Sequence, residues 1–135
     1  MTPSFQLITH YYATFNSGDR EAFLALLTED VVHDLNQGRS ETGKAAFRQF
    51  LERMDRCYAE QVEEVCVFQS QADPGRAAAE FYVRGVYRST DEGLPPATGQ
   101  TYLLRVGAFF EISDGRISRV TNYYNLGEWL RLIGA

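Results

Sequence analysis

The stretch Val31-Val32-His33-Asp34-Leu35-Asn36-Gln37-Gly38 decides how this chain is read. It follows two helical patterns and reads as a short strand. Apolar residues begin it, and His33, Asp34, Asn36 and Gln37 crowd its second half. A strand alternates its side chains between two faces. Val32, Asp34 and Asn36 then share one face, and Val31, His33 and Leu35 share the other. If the first face looks into an apolar interior, Asp34 is a carboxylate held out of bulk water and a candidate proton acceptor. If the strand end is wet, the same polar residues are simply solvated, as polar strand ends commonly are.

Upstream, Phe5, Ile8, Tyr12 and Phe15 recur at helical spacing, with Leu7 and Tyr11 widening the stripe and Ser4 as the candidate cap. Gly18 can close that helix in the left-handed conformation, and Asp19 can cap a second one that buries Ala22, Phe23, Leu26 and Leu27. Downstream, Gly38 to Gly43 reads as a polar loop. A third helix follows from about Gly43, with Phe47, Phe50, Leu51, Met54 and Tyr58 on one face. Arg48, Glu52, Arg53 and Arg56 make its solvated side.

From Gln61 the period changes to two. Strands are expected over 62–69, 77–88, 100–112 and 117–125, with Asp73-Pro74-Gly75 as a turn and Ser113-Asp114-Gly115-Arg116 as a tight hairpin. Residues 89–99 form a loop, and 127–133 a short closing helix. Helices followed by hairpin-linked strands indicate an α+β fold, with helices packed on one face of a largely antiparallel sheet. Long strands must curl. A curled sheet closed by helices makes a cone with a central pocket, the natural place for a ligand.

A chain of 135 residues is expected to form one domain, 1–135. Nine Phe, eight Tyr and one Trp suit an interior lined with rings. The net charge of −5 argues against nucleic acid or an anionic membrane surface as partner. Cys57 and Cys66 form no CxxC and read as reduced thiols of a cytoplasmic protein. No signal peptide and no stretch able to cross a bilayer are visible. No His, Cys and carboxylate set has metal-ligand spacing, and no phosphate loop or nucleophile elbow is present. No metal or cofactor is therefore expected.

Three segments carry a family resemblance: Tyr11-Tyr12-Ala13-Thr14-Phe15-Asn16-Ser17-Gly18-Asp19, then Leu26 to Asp34, then Gly43-Lys44-Ala45-Ala46-Phe47. With the Asp114-Gly115-Arg116-Ile117 hairpin and Tyr123-Tyr124-Asn125, the chain resembles the NTF2-like superfamily along nearly its whole length. That group includes ketosteroid isomerase, the SnoaL polyketide cyclases and limonene-epoxide hydrolase. The resemblance implies a conical α+β fold and a homodimer. In the isomerase pattern, Tyr11 matches the donor to the substrate oxyanion, and Asp34 matches the catalytic base at the end of the first strand, with His33 or Asn36 as alternatives. The isomerase's second donor is a protonated acid on a late strand, kept neutral by apolar surroundings. Val106-Gly107-Ala108-Phe109 has no acid there. The epoxide hydrolase relay of Asp, Arg and Asp finds Arg105, but Gly107 stands where its acid belongs.

Arg105 interrupts an apolar strand and must find a partner or reach water. It either faces the cavity, where it pairs with a carboxylate or binds an anionic group, or faces outward. Glu80 raises the same question, with the external reading favoured. Tyr102, Asn122 and Tyr124 are candidate substrate contacts on late strands. His33 is a possible acid or base at neutral pH. The expected function is a cofactor-free enzyme that abstracts a proton from an apolar carbonyl compound, with Asp34, Tyr11 and His33 catalytic and Asn36, Arg105, Tyr102, Asn122 and Tyr124 binding. The alternatives are a non-catalytic module that binds a hydrophobic small molecule and an epoxide-hydrolase-like hydrolase.

Overall fold

Local capping chemistry sets the N-terminal half. In the computed structural model, which describes residues 2–135, helix α1 spans Pro3–Ser17. Its cap is Thr2, whose hydroxyl accepts from the Phe5 N–H at 3.2 Å, and not Ser4. Pro3 suits the first turn because its missing N–H would have no partner there. The Ser4 hydroxyl instead donates to the Pro74 carbonyl at 2.6 Å and ties the helix to a distant turn. Gly18 ends α1 at φ +81°, a conformation that costs a residue without Cβ little. Asp19 caps the short α2 (Arg20–Leu24) by accepting from the Ala22 N–H at 3.0 Å.

The chain turns extended earlier than its periodicity suggests, because Leu27 is buried as the first residue of a strand and not as the end of a helix. Strand β1 covers Leu27–Asp34. The segment expected as a polar loop holds a short edge strand, β2 (Ser40–Thr42). Helix α3 (Lys44–Cys57) follows, and β3 (Tyr58–Gln69) begins directly at its end. Then come β4 (Arg76–Tyr87), β5 (Gln100–Ser113), β6 (Arg116–Tyr124) and α4 (Leu126–Leu132), which Asn125 caps.

These strands form one mixed sheet in the order β2-β1-β6-β5-β4-β3. All neighbours are antiparallel except β1 and β6, which run parallel. A bulge between Glu63 and Cys66, with Glu64 at φ +54°, bends β3. The β5–β6 hairpin turns through Asp114 at φ +51° and Gly115 at φ +76°, the signs a two-residue I′ turn needs.

The concave face holds the core. Tyr11, Tyr12, Phe23, Phe47, Phe81 and Phe110 are all buried there. Tyr11 meets Phe23 at 4.6 Å between ring centres, and Tyr12 meets Phe81 at 4.6 Å. Asn16 anchors α1 to β3 through two 2.8 Å bonds with the Val62 backbone. The convex face carries Phe68, Leu103, Phe109 and Tyr123 exposed to solvent. Among the described residues, no helix is long and apolar enough to cross a membrane.

Candidate functional site

The hollow between sheet and helices has a volume of about 720 Å³. Aromatic side chains from α1, α3 and α4, among them Tyr11, Phe47, Phe50 and Trp129, stand in its wall, and His33, Asn36, Glu60, Asn122 and Tyr124 bring polar groups to it. Of the predicted residues, Tyr11, His33, Asn36, Asn122 and Tyr124 line this space, whereas Asp34, Tyr102 and Arg105 do not.

The strand faces are the reverse of those that would make Asp34 a base. Val31 and His33 point inward and are buried. Asp34 points to the convex side, where Arg119 donates from Nε at 2.7 Å and from Nη2 at 3.2 Å. Thr121 donates to it at 2.6 Å, and Ser40 donates as well. The Arg119 guanidinium and these hydroxyls hold the Asp34 carboxyl well below the usual carboxylate range. It is an ion-paired surface acid that clamps β2, β1 and β6 together, outside the cavity.

Arg105 likewise lies outside the cavity, not in it as a substrate-binding residue. It lies exposed on the convex face and donates to Glu80 at 2.6 Å, the external pairing of diagonal neighbours on adjacent strands. No relay through Arg105 forms inside the cavity. Asn36 borders the hollow, but its amide is engaged. It donates to the Tyr124 carbonyl at 3.0 Å and accepts from the Tyr124 N–H at 3.2 Å, continuing the β1–β6 ladder where the strand ends.

His33 is 3 % exposed, stacked on Phe47 at 4.4 Å and edge-on to Phe50 at 4.7 Å. Its Nδ1 is buried with no hydrogen-bond partner. Burial pushes its pKa down to about 4, against the weaker opposite pull of Glu41 and Asp34. The ring is thus neutral at pH 7. Burial raises the Tyr11 phenol well above its ordinary value, so Tyr11 remains a protonated donor.

Sequence reasoning missed the acid that does face the hollow. Glu60 sits on the concave face of β3, two residues beyond buried Tyr58 and two before buried Val62. Burial pushes its carboxyl up, and the bond from the Tyr102 hydroxyl at 2.5 Å and the Arg20 charge offset this only in part. The phase of Tyr58, Glu60 and Val62 was the available signal. It was hidden because the helix-to-strand change falls at Cys57, ahead of the expected break at Gln61.

A second acid, Asp91, lies in the loop expected over 89–99 and is only 4 % exposed. Arg53 donates to it twice at 2.9 Å, and Tyr58 donates at 2.8 Å. Burial pushes this carboxyl up, but those donors outweigh it and leave it lowered. Its own N–H donates to the Tyr87 hydroxyl at 2.9 Å, which donates on to the Pro95 carbonyl at 2.6 Å. The loop carrying Glu92 and Leu94 is so pinned against the cavity.

The arginines at the wall are each paired with a carboxylate. Arg20 bonds Asp55 at 2.8 and 2.7 Å, Arg53 bonds Asp91, and Arg39 meets Glu41 at 3.2 Å. Among the described residues, no arginine bordering the hollow is left without a carboxylate. Two acids at its wall have no cation bonded to them among the described residues: Glu92, which is exposed, and Glu60, which is bonded by a phenol.

The model of the SnoaL-like domain matches residues 8–120. The chain belongs to the SnoaL-like family. This SnoaL-like chain is 56 % identical to a candidate polyketide cyclase from Pseudomonas putida of known structure, with a TM-score of 0.94 and 99 % of each chain covered. A second candidate polyketide cyclase, from Xanthomonas campestris, is 52 % identical at a TM-score of 0.94, covering 98 % of this chain and 97 % of that one. An NTF2-like protein of unknown function from Burkholderia pseudomallei, 17 % identical, covers 100 % of both chains at a TM-score of 0.83 and shows the shared fold alone. No curated protein matches the chain. The SnoaL-like chain thus has the NTF2-like α+β fold that its helix-turn and strand segments resemble, with a curved six-stranded mixed sheet that is not closed. Membership and neighbours support a role in processing or binding a small molecule.

Proposed function

We propose that this SnoaL-like chain is a cofactor-free enzyme that moves a proton on a neutral, apolar carbonyl compound held in the conical cavity. The observation that carries the reading is Glu60, a carboxyl with raised proton affinity at the wall of the hollow, bonded by a phenol and not by a cation. A general base works best with a pKa brought toward the working pH, and burial moves Glu60 in that direction.

In the proposed step the Glu60 carboxylate takes a proton from the carbon next to the substrate carbonyl. The C–H electron pair becomes the new C=C bond, and the carbonyl oxygen takes the negative charge. Tyr11, Asn122 and the neutral His33 ring are the donors available to that oxygen. A neutral imidazole can donate a hydrogen bond without bringing a charge into an apolar site. Glu60, now a carboxylic acid, returns the proton to the same or another carbon. A substrate with an anionic group is disfavoured, because every described arginine at the wall already has its carboxylate. The polyketide cyclase name of the two relatives above 50 % identity is in keeping with a carbonyl substrate.

The test is deuterium exchange at the α-carbon of a neutral aryl-fused ketone such as 2-tetralone in D2O. Wild type is expected to accelerate it, and Glu60→Gln to lose on the order of 100-fold, the usual weight of a general base. Undiminished exchange by Glu60→Gln contradicts the reading. The binding-module alternative predicts no exchange by either protein, with equal thermal stabilisation of both by the ketone.

A further inference from the structure

Three residues at one level of the sheet explain how Glu60 is held. Glu60 on β3 pairs with Gly85 on β4, and Gly85 pairs with Tyr102 on β5. All three positions face the concave side. With side chains at all three, Tyr102 could not reach across two strands. Gly85 has no side chain, so the Tyr102 ring occupies the space a side chain there would take and its hydroxyl donates to Glu60 Oε2 at 2.5 Å. A Cβ built at residue 85 would fall well inside contact distance of the ring's Cζ, Cε2 and hydroxyl oxygen. Trp129 from α4 stands edge-on to the same ring at 6.1 Å and closes the other side. Tyr102 is 4 % exposed and does not border the hollow, whereas Glu60 does.

We propose that Tyr102, seated in the notch left by Gly85, is a positioning residue that fixes the Glu60 carboxyl from behind, with Oε2 tied to the phenol and Oε1 left for the substrate proton. Tyr102 acts through Glu60 and does not touch substrate. This rests on Glu60 being the proton acceptor, and it adds two residues that the reading did not need. The hydroxyl also stabilises the charged carboxylate, so it restrains the upward push that burial exerts on Glu60. Removing it must raise the Glu60 proton affinity further.

The test is a carboxyl carbon-13 titration of Glu60 in the whole chain, which reads the group without any substrate. Tyr102→Phe, which keeps the ring, is expected to raise the Glu60 pKa by about one pH unit, the scale of one charge-assisted hydrogen bond. Gly85→Ala, which displaces the ring, is expected to give a similar rise, and the double variant no more than either. The rising limb of the α-proton exchange profile should move to higher pH by the same interval. An unmoved Glu60 pKa in Tyr102→Phe overturns the proposal, as do shifts that add in the double variant. Should Gly85→Ala fail to fold, Tyr102→Phe alone decides. Undiminished exchange by Glu60→Gln, with the titration shifts intact, would count against Glu60 as base and leave the positioning contact standing.

Discussion

Two carboxyls on opposite faces of the sheet, Asp34 on β1 and Glu60 on β3, behave in opposite ways. Asp34 is held charged by Arg119, Thr121 and Ser40, and Glu60 is pushed toward its neutral form by burial. Because the folded Asp34 pKa lies below its unfolded value, its contribution to stability is present above about pH 4 and is lost as pH falls through the folded value. Asp34→Asn should therefore lower unfolding free energy at pH 7 by on the order of 1 kcal/mol, and by progressively less as pH is taken from about 4 down to 2, as urea titrations across that range will show. Loss of activity without loss of stability would contradict this placement. His33 gives a slope of the same sign at higher pH. Its folded pKa is about 4 against an ordinary 6.5. Between those values the unfolded chain takes up a proton that the folded chain refuses, so stability falls as pH drops from 6.5 toward 4. His33→Phe should flatten that slope in thermal melts recorded from about pH 4 to 7.

At the scale of elements, much of the architecture was legible because periodicity and capping are local. The stripe of Phe5, Ile8, Tyr12 and Phe15, the Gly18 stop and Asp19 start, strands β4, β5 and β6 and the Asp114-Gly115 turn all appear within a residue or two of their expected places, whereas β3 starts four residues early. The face of β1 was not legible. Alternation says that Asp34 and His33 point oppositely, but only the packing of α3, through Phe47 and Phe50 against His33, decides which points in. Glu60 was missed for a related reason: α3 passes into β3 with no loop between, so no turn residue marks the change of period. Asp91 was invisible because its partners, Arg53 and Tyr58, lie more than thirty residues upstream in the chain. That carboxylate ties the loop over 88–99 to α3 and β3. Asp91→Asn should speed amide hydrogen exchange in that loop while the β5–β6 hairpin keeps its protection. Equal acceleration in both would mean that Asp91 supports the fold as a whole.

For the whole molecule, the open convex face remains. Phe68, Leu103, Phe109 and Tyr123 are exposed there among ion pairs that close on themselves, Arg84 with Glu63 and Arg105 with Glu80. A face that is apolar and internally neutralised can meet its own copy without burying an unpaired charge. Sedimentation equilibrium is expected to give a dimer that Phe109→Arg converts to monomer, whereas a wild-type monomer at micromolar concentration would refute the expectation. The cavity lies on the other side of the sheet, so its chemistry does not depend on which state is found. The most direct test of the account compares two carboxyl variants on one ketone: the rate of α-proton exchange in D2O with Asp34→Asn against that with Glu60→Gln. The account predicts near wild-type exchange for the first and a loss on the order of 100-fold for the second. The opposite ranking would contradict it.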